Sequence, residues 1–433
     1  MREPARIEAA IELLASIGKG RTPMDNMIRD YMAARRYIGS KDRTAIVERV
    51  YRITRSHARL GWWLAQNGME EAARNRVLAD LVFHARMDAA ALEQIFTGEK
   101  HAPGLLSEKE RGFIQALQGK MMTDPSMPDS VRGECPQWAE ERLRGLWGGA
   151  FESHLAAMIE PAPVDLRVNT IKGTVEEAIE SLAADKIKAA QSAYSPVGLR
   201  THGRPFLGDS KAFRSGLVEI QDEGSQLIAL VSGAKPGHRV LDFCAGGGGK
   251  TLALAAMMEN RGNIVATDND TRRLEKGKPR YRKAGVHNVE LRSLADEKNR
   301  KWLRRQKDAM DVVVVDAPCS SSGTWRRNPD LRWAWYGPAL EEIIAMQSAI
   351  LDKVADKVKP GGRLVYATCS LFREENEEQV EAFLQRHPDY KILPLSGLWE
   401  DMGTPVPCEG DFLCLNPRDH GTDGFFAAIL QRA

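Results

Sequence analysis

The chain has 433 residues and a mass of 48.1 kDa, is 43% hydrophobic and 28% charged, and carries a formal net charge of +2. That length exceeds what one core sustains, so two or three domains are expected, with the composition of a soluble globular protein. No apolar run approaches the roughly 18 residues of a membrane span and the start, MREPARIEAAIELL, lacks a signal-peptide core, which predicts a cytoplasmic protein with no membrane partner.

Residues 1–134 read as a helical domain. Ile7, Ala10, Ile11, Leu14 and Ile17 follow a period near 3.6, as do Ile46, Val50, Ile53, His57 and Leu60. The first 60 residues hold 13 Lys and Arg, Arg21 among them, against 7 acids, a basic surface suited to a phosphate backbone or to plain solvation. MTDPSMPDS marks a loop, and residues 135–215 read as a small α+β linker domain. In it DLRVNT is a predicted strand and TVEEAIESLAADKI a helix opened by Thr174 and Glu177 as a capping box.

From residue 216 to 433 strands and helices alternate: RVLDFCA, a glycine loop, KTLALAAMMEN, NIVATD, TRRLEKGKPRYRKAG, NVELRS, DVVVVD and GRLVYATCS with helices between, then FLCLNP and GFFAAILQ as a hairpin at the sheet edge. This alternation specifies an α/β fold with a parallel sheet covered on both faces. A second basic stretch runs from Arg272 to Lys307.

Gly246, Gly247, Gly248 and Gly249 lie between a strand and a helix, where a backbone without Cβ lets a ligand approach the helix N-terminus. CAGGGGKT misses the phosphate loop of NTPases because Cys244 stands where that motif needs glycine. A dinucleotide motif would need glycine at Thr251. A nucleoside-type cofactor fits better: Asp268 ends the second strand, placed to accept from ribose hydroxyls, and Asp296 follows the third, placed for an adenine amino group; either acid is otherwise a strand end or helix cap. S-adenosylmethionine is the expected cofactor.

The six cysteines, Cys135, Cys244, Cys319, Cys369, Cys408 and Cys414, include no CxxC pair, and Cys408 and Cys414 are expected to have no His partner nearby, so no metal is expected. Cys319 in DAPCSSSG and Cys369 in TCS each follow a strand, and strand ends of a parallel sheet converge on one crevice. Two thiols there suit pyrimidine C5 methylation, in which a thiolate adds to carbon 6 and makes carbon 5 nucleophilic. Cys369 is the expected nucleophile, Asp316 the partner of ring N3 if protonated or sharing a proton, and Cys319 the group assisting proton removal or release. Lys250 and Arg326 are candidates to stabilise the thiolate. Arg326 and Arg327, between Trp325 and NPDLRWAWY, read as a segment that grips phosphates and stacks bases, or as a loop anchored by Trp333 and Trp335.

Six ordered strings make residues from about 165 to 433 resemble the RsmB/Sun-type RNA 5-methylcytosine methyltransferases: RVNT at Arg167, QDEGSQL at Gln221, LDFCAGGGGKT at Leu241, DAPCSSSGTWRRNPD at Asp316, TCSLFREENEE at Thr368 and DGFF at Asp423. The resemblance implies a Rossmann-like class I methyltransferase domain. It implies a cofactor loop of Cys244, Ala245, Gly246, Gly247, Gly248, Gly249 and Lys250, with Asp268 and Arg273 near the ribose, Asp296 near the adenine, and Asp316 near the methyl donor and target ring. It also implies that Cys369 is the nucleophile and Cys319 the release cysteine. SKDRTAIVERVYRITRSHARLGWWL is similar to a NusB-like RNA-binding domain, which implies a 16S-type rRNA target, with tRNA as the alternative, for a protein expected to act as a monomer. Two departures stand out: Gly246 and Gly247 replace the usual Ala and Pro, and Ser321 replaces the usual Gly. The altered loop also motivates a second reading, an RNA-binding assembly factor that has lost turnover.

Overall fold

The structure, a computed structural model, describes residues 1–19, 22–334, 336–400 and 402–433. Arg21 of the basic N-terminal stretch and Trp335 of the aromatic segment lie outside the described residues. Two compact units form: Met1–Glu160 with Trp325–Pro338, and Pro161–Thr324 with Ala339–Ala433. This division is coarser than the three domains expected from sequence.

The first unit is helical. Ile7, Ala10 and Ile17 of the helix Glu3–Ile17 are buried, as the 3.6 period requires. The run from Ile46 to Leu60 keeps its period across two helices, Ser40–Arg55 and His57–Gln66, parted at Ser56, where ψ turns to 25°. Into these helices the chain inserts residues 325–338. Trp325 is fully buried against Trp138, with ring centroids 5.9 Å apart. Buried Arg332 donates to the carbonyls of Glu134 (3.2 Å) and Met158 (2.9 Å), and Trp333 Nε1 donates to Thr54 O at 3.2 Å. The phosphate-gripping reading of this segment is therefore corrected in part: Trp325, Arg326 and Arg332 are buried, because the Trp325 ring packs on Trp138 and the Arg332 guanidinium is taken up by backbone carbonyls.

The second unit holds two sheets. β1 (Asp165–Val168), β2 (Ala189–Gln191), β3 (Gly198–Thr201) and β4 (Val218–Ile220) form an antiparallel sheet in the order β2-β3-β1-β4. Helix Val175–Ala184 packs on it and is opened by both arms of the Thr174–Glu177 capping box. The larger sheet contains β5 (Arg239–Asp242), β6 (Asn263–Asp268), β7 (Val289–Ser293), β8 (Met310–Asp316), β9 (Val358–Thr368), β10 (Tyr390–Ile392), β11 (Leu413–Leu415) and β12 (Phe425–Arg432). Its order is β10-β12-β9-β8-β5-β6-β7, with β11 paired to β12. The five strands from β9 to β7 are parallel, and β12 joins β9 antiparallel. The terminal hairpin does not end the sheet as expected, since β10 pairs outside β12. The predicted helix over TRRLEKGKPRYRKAG is two helices, Thr271–Glu275 and Gly277–Ala284, because Pro279 has no N–H to donate across the junction. Val312 to Val315 of β8 and Leu364 to Ala367 of β9 are buried, the continuous apolar run of a strand covered on both faces.

Candidate active site

The carboxyl ends of β5, β6, β8 and β9 open on a cavity of about 690 Å³, within the size range of small-molecule sites. Cys244, Ala245, Gly246, Gly247, Gly249, Lys250, Asp268, Arg273, Asp316, Cys319 and Cys369, all expected from sequence, lie in its wall. Gly246 takes φ +54°, and its N–H donates to Asp268 Oδ2 at 2.9 Å while Asp270 N–H donates to Oδ1 at 2.8 Å. The Asp268 carboxylate thus braces the loop, and its remaining lone pairs are available to a ligand. A Cβ on Gly246 would lie 3.0 Å from Arg273 Nη2, so the absent side chain is part of the cradle.

Two expected residues are placed elsewhere. Gly248, at φ +80°, turns its bare face to Tyr281, whose hydroxyl would collide with a Cβ there, and is not in the cavity wall. Asp296 is exposed, and its Oδ1 accepts from Lys298 N at 2.8 Å as the cap of the helix Glu297–Arg304. Leu294 lines the cavity near that strand end instead. The cradle, the carboxylate at the end of β6 and the apolar walls supplied by Phe243, Leu294, Pro318 and Ile350 fit a nucleoside-type donor.

Lys250 opens the helix Gly249–Met257, and its Nζ lies 2.8 Å from Asp316 Oδ2. Burial alone would depress the Lys250 pKa; the Asp316 carboxylate outweighs it and raises the pKa, so the ammonium is kept. Lys250 therefore has its charge already paired with Asp316, which counts against a phosphate-binding role for it. Beneath them Asp242, fully buried, accepts from Thr251 Oγ1 at 2.6 Å. Burial lifts the Asp242 carboxyl from 3.8 to about 7, against the lowering effect of Thr251.

Cys319 and Cys369 meet, sulfur to sulfur, at 3.4 Å. Cys369 Sγ also lies 3.4 Å from the Ser321 hydroxyl. The hydrogen bond from Cys319 lowers the Cys369 pKa, opposed by burial and assisted by Ser321 and by the charge of Lys250. Cys319 is pushed up by the same bond, by burial and by facing Glu375. The pair thus favours a thiolate on Cys369 and a thiol on Cys319.

Both loops are fixed from below by Glu375, which is fully buried. It accepts from Ser320 N (2.8 Å), from Gln347 Nε2 (3.0 Å) and from the hydroxyls of Ser320 and Ser370. The Ser322 and Ser370 hydroxyls are 3.1 Å apart, and Gly323 N–H donates to Cys369 O at 2.9 Å. Glu375, Gln347, Asn269 and Asp270 were not singled out from sequence; Glu375 stands in the quoted string TCSLFREENEE, where an acid on a predicted helix reads as solvated.

A family model described as 16S rRNA methyltransferase RsmB/F matches residues 229–431, and one for an RsmF/B-like ferredoxin-like domain matches residues 135–204. The chain is 33% identical over 363 residues to a "Probable ribosomal RNA small subunit methyltransferase B" of Synechocystis sp., covering 83% of this chain and 80% of that protein. The chain belongs to the RsmB/F family of rRNA methyltransferases. Another relative, ribosomal RNA small subunit methyltransferase B of Erwinia tasmaniensis, is 28% identical over 92% of this chain and 93% of its own. Among solved structures, the protein PH0851 superimposes with TM-score 0.78 at 27% identity, covering 100% of this chain and 99% of its own, and a methyltransferase homologue from Pyrococcus horikoshii with TM-score 0.59 at 29% identity, covering 72% and 100%. As an RsmB/F-family member the chain is an RNA methyltransferase with a Rossmann-like catalytic sheet.

His420 Nε2 lies 4.0 Å from Cys408 Sγ, so a histidine does approach that thiol, contrary to the sequence reading. Among the described residues no group of three or more His, Cys, Asp or Glu is placed to hold a metal ion, and no helix is long and apolar enough to cross a membrane.

Proposed function

We propose that this RsmB/F-family protein methylates carbon 5 of a cytosine in small-subunit rRNA, with S-adenosylmethionine as donor and through a covalent bond between Cys369 and the ring. The observation that carries the proposal is the pair of sulfurs at 3.4 Å in the wall of the cavity that also contains the glycine loop and the Lys250–Asp316 pair. When bound, the donor supplies an electrophilic sulfonium methyl group; Gly246, Asp268 and Arg273 would hold its nucleoside, and Asp316 would border the methyl group.

The Cys369 thiolate adds its electron pair to ring carbon 6, and the displaced pair moves through the ring toward N3, where the proton shared between Lys250 and Asp316 meets it. After carbon 5 has gained the methyl group it must lose its proton. Water takes that proton, the electron pair of the carbon–hydrogen bond reforms the ring double bond, N3 returns its proton to the Lys250–Asp316 pair, and the bond to Cys369 breaks with its electron pair left on sulfur, where the Cys319 thiol at 3.4 Å donates a hydrogen bond to the departing thiolate. A cytosine reaches such a pocket only when turned out of its stack. The exposed Lys276, Lys278, Lys298, Lys301 and Lys307 of the second unit form the surface proposed for the rRNA backbone. We place the protein in the cytoplasm as a monomer.

The test is chemical trapping. Cys369→Ala is expected to abolish methyl transfer, and Cys319→Ala to accumulate a protein–RNA adduct that survives denaturing electrophoresis. An adduct in the Cys369→Ala protein instead would exchange the two roles, and none in either would refute the covalent route.

A further inference from the structure

Ser321 occupies the turn between the two sulfurs at φ +56°, in the left-handed region that glycine enters freely and a serine does not. The turn itself needs no side chain: the Ser321 carbonyl accepts from Thr324 N at 2.9 Å and Thr324 Oγ1 at 3.0 Å, bonds that any residue's main chain makes. The neighbouring serines are committed to the clamp, Ser320 to Glu375 and Ser322 to Ser370 and the Leu371 N–H. Among the described residues, the Ser321 hydroxyl has the two sulfurs as its hydrogen-bond partners, Cys369 at 3.4 Å and Cys319 at 4.0 Å. A strained backbone is thus retained at the one position of the loop whose hydroxyl reaches both thiols.

The geometry points to Ser321 as a positioning residue that donates a hydrogen bond to the Cys369 thiolate and so selects which sulfur carries the charge. With the thiol protonated, Cys369 donates to Ser321 Oγ; once the proton has left, the hydroxyl turns about its C–O bond and donates to the sulfur. Cys319 and Lys250 also favour the charge on Cys369, burial and the Asp316 carboxylate oppose it, and Glu375 disfavours it on Cys319, so the hydroxyl adds to a net preference for Cys369. The inference deepens the proposed reaction and rests on Cys369 being its nucleophile.

The experiment uses the full chain without RNA or donor. Alkylation by iodoacetamide is followed at Cys369 by peptide mass spectrometry from pH 6 to 10 in the wild type, Ser321→Gly and Ser321→Ala. Glycine removes both the hydroxyl and the strain, whereas alanine removes the hydroxyl and keeps the strain. Both variants are expected to move the alkylation midpoint upward by about one pH unit, the scale of one hydrogen bond to a charged group, while Ser321→Gly melts no lower than the wild type. An unshifted midpoint in both, or a shift in only one, overturns the inference. Alkylation requires no methyl transfer, so failure of the adduct assay would refute the proposed reaction without altering this profile.

Discussion

A thiolate at Cys369 depends first on the hydrogen bond from Cys319, then on the Ser321 hydroxyl and the charge of Lys250. Lys250 is the cation that acts on it, and Lys250→Met is expected to raise the Cys369 pKa, moving the acid limb of the methylation pH–rate curve to higher pH and lowering the rate at neutral pH by at least tenfold, read in a tritiated-methyl assay. Asp242 supplies a separate titration. Its folded value of about 7 lies above the ordinary 3.8, so the native state binds the extra proton between those values. The stability contributed by the protonated carboxyl is complete below pH 4 and is lost as pH rises to 7, by up to roughly 4 kcal/mol. Asp242→Asn cannot lose that proton; its stability relative to wild type in urea unfolding is therefore expected to climb across that window. Cys319, Cys369, Lys250 and Asp316 were legible in sequence because their chemistry and strand-end placement coincide. Asp296 was ambiguous, since an acid after a strand serves a helix cap or a ligand with the same spacing, and its Oδ1 caps the helix through Lys298 N–H.

Among elements, the two cysteine loops act as one because Glu375 lies beneath both. Glu375→Ala would leave Ser320 N without its partner and take one acceptor each from the Gln347 amide and the Ser320 and Ser370 hydroxyls in a buried setting. A stability loss of roughly 3 kcal/mol is expected, with a fall in methylation rate larger than any change in cofactor affinity, checked by thermal melting and titration calorimetry. At the antiparallel sheet, Thr174→Ala removes one arm of the capping box and should cost about 1 kcal/mol with activity intact. The alternation of strand and helix after residue 216 was readable because buried parallel strands are continuous apolar runs. The break at Ser56 was not, since the apolar period passes through it, whereas the one before Gly277 has its sequence signal in Pro279. Three-residue β10 carries too little pattern to be seen at all.

For the whole molecule, residues 325–338 carry the main lesson. Cations interleaved with aromatics suggested a nucleic-acid grip, yet the same composition serves a core when each cation finds carbonyls, as Arg332 does at Glu134 and Met158. Arg332→Ala should destabilise the helical unit by roughly 2–4 kcal/mol, seen as a lower melting temperature. The insertion also bears on how the protein is made. A nascent chain that has cleared Glu160 has the α-helices of the first unit but lacks Trp325, Arg332 and Trp333, and translation must continue through the intervening segment before they arrive. At 5–20 residues per second the wait is on the order of ten to thirty seconds, during which the Trp138 ring and the carbonyls of Glu134 and Met158 lack the partners that residues 325–338 bring them.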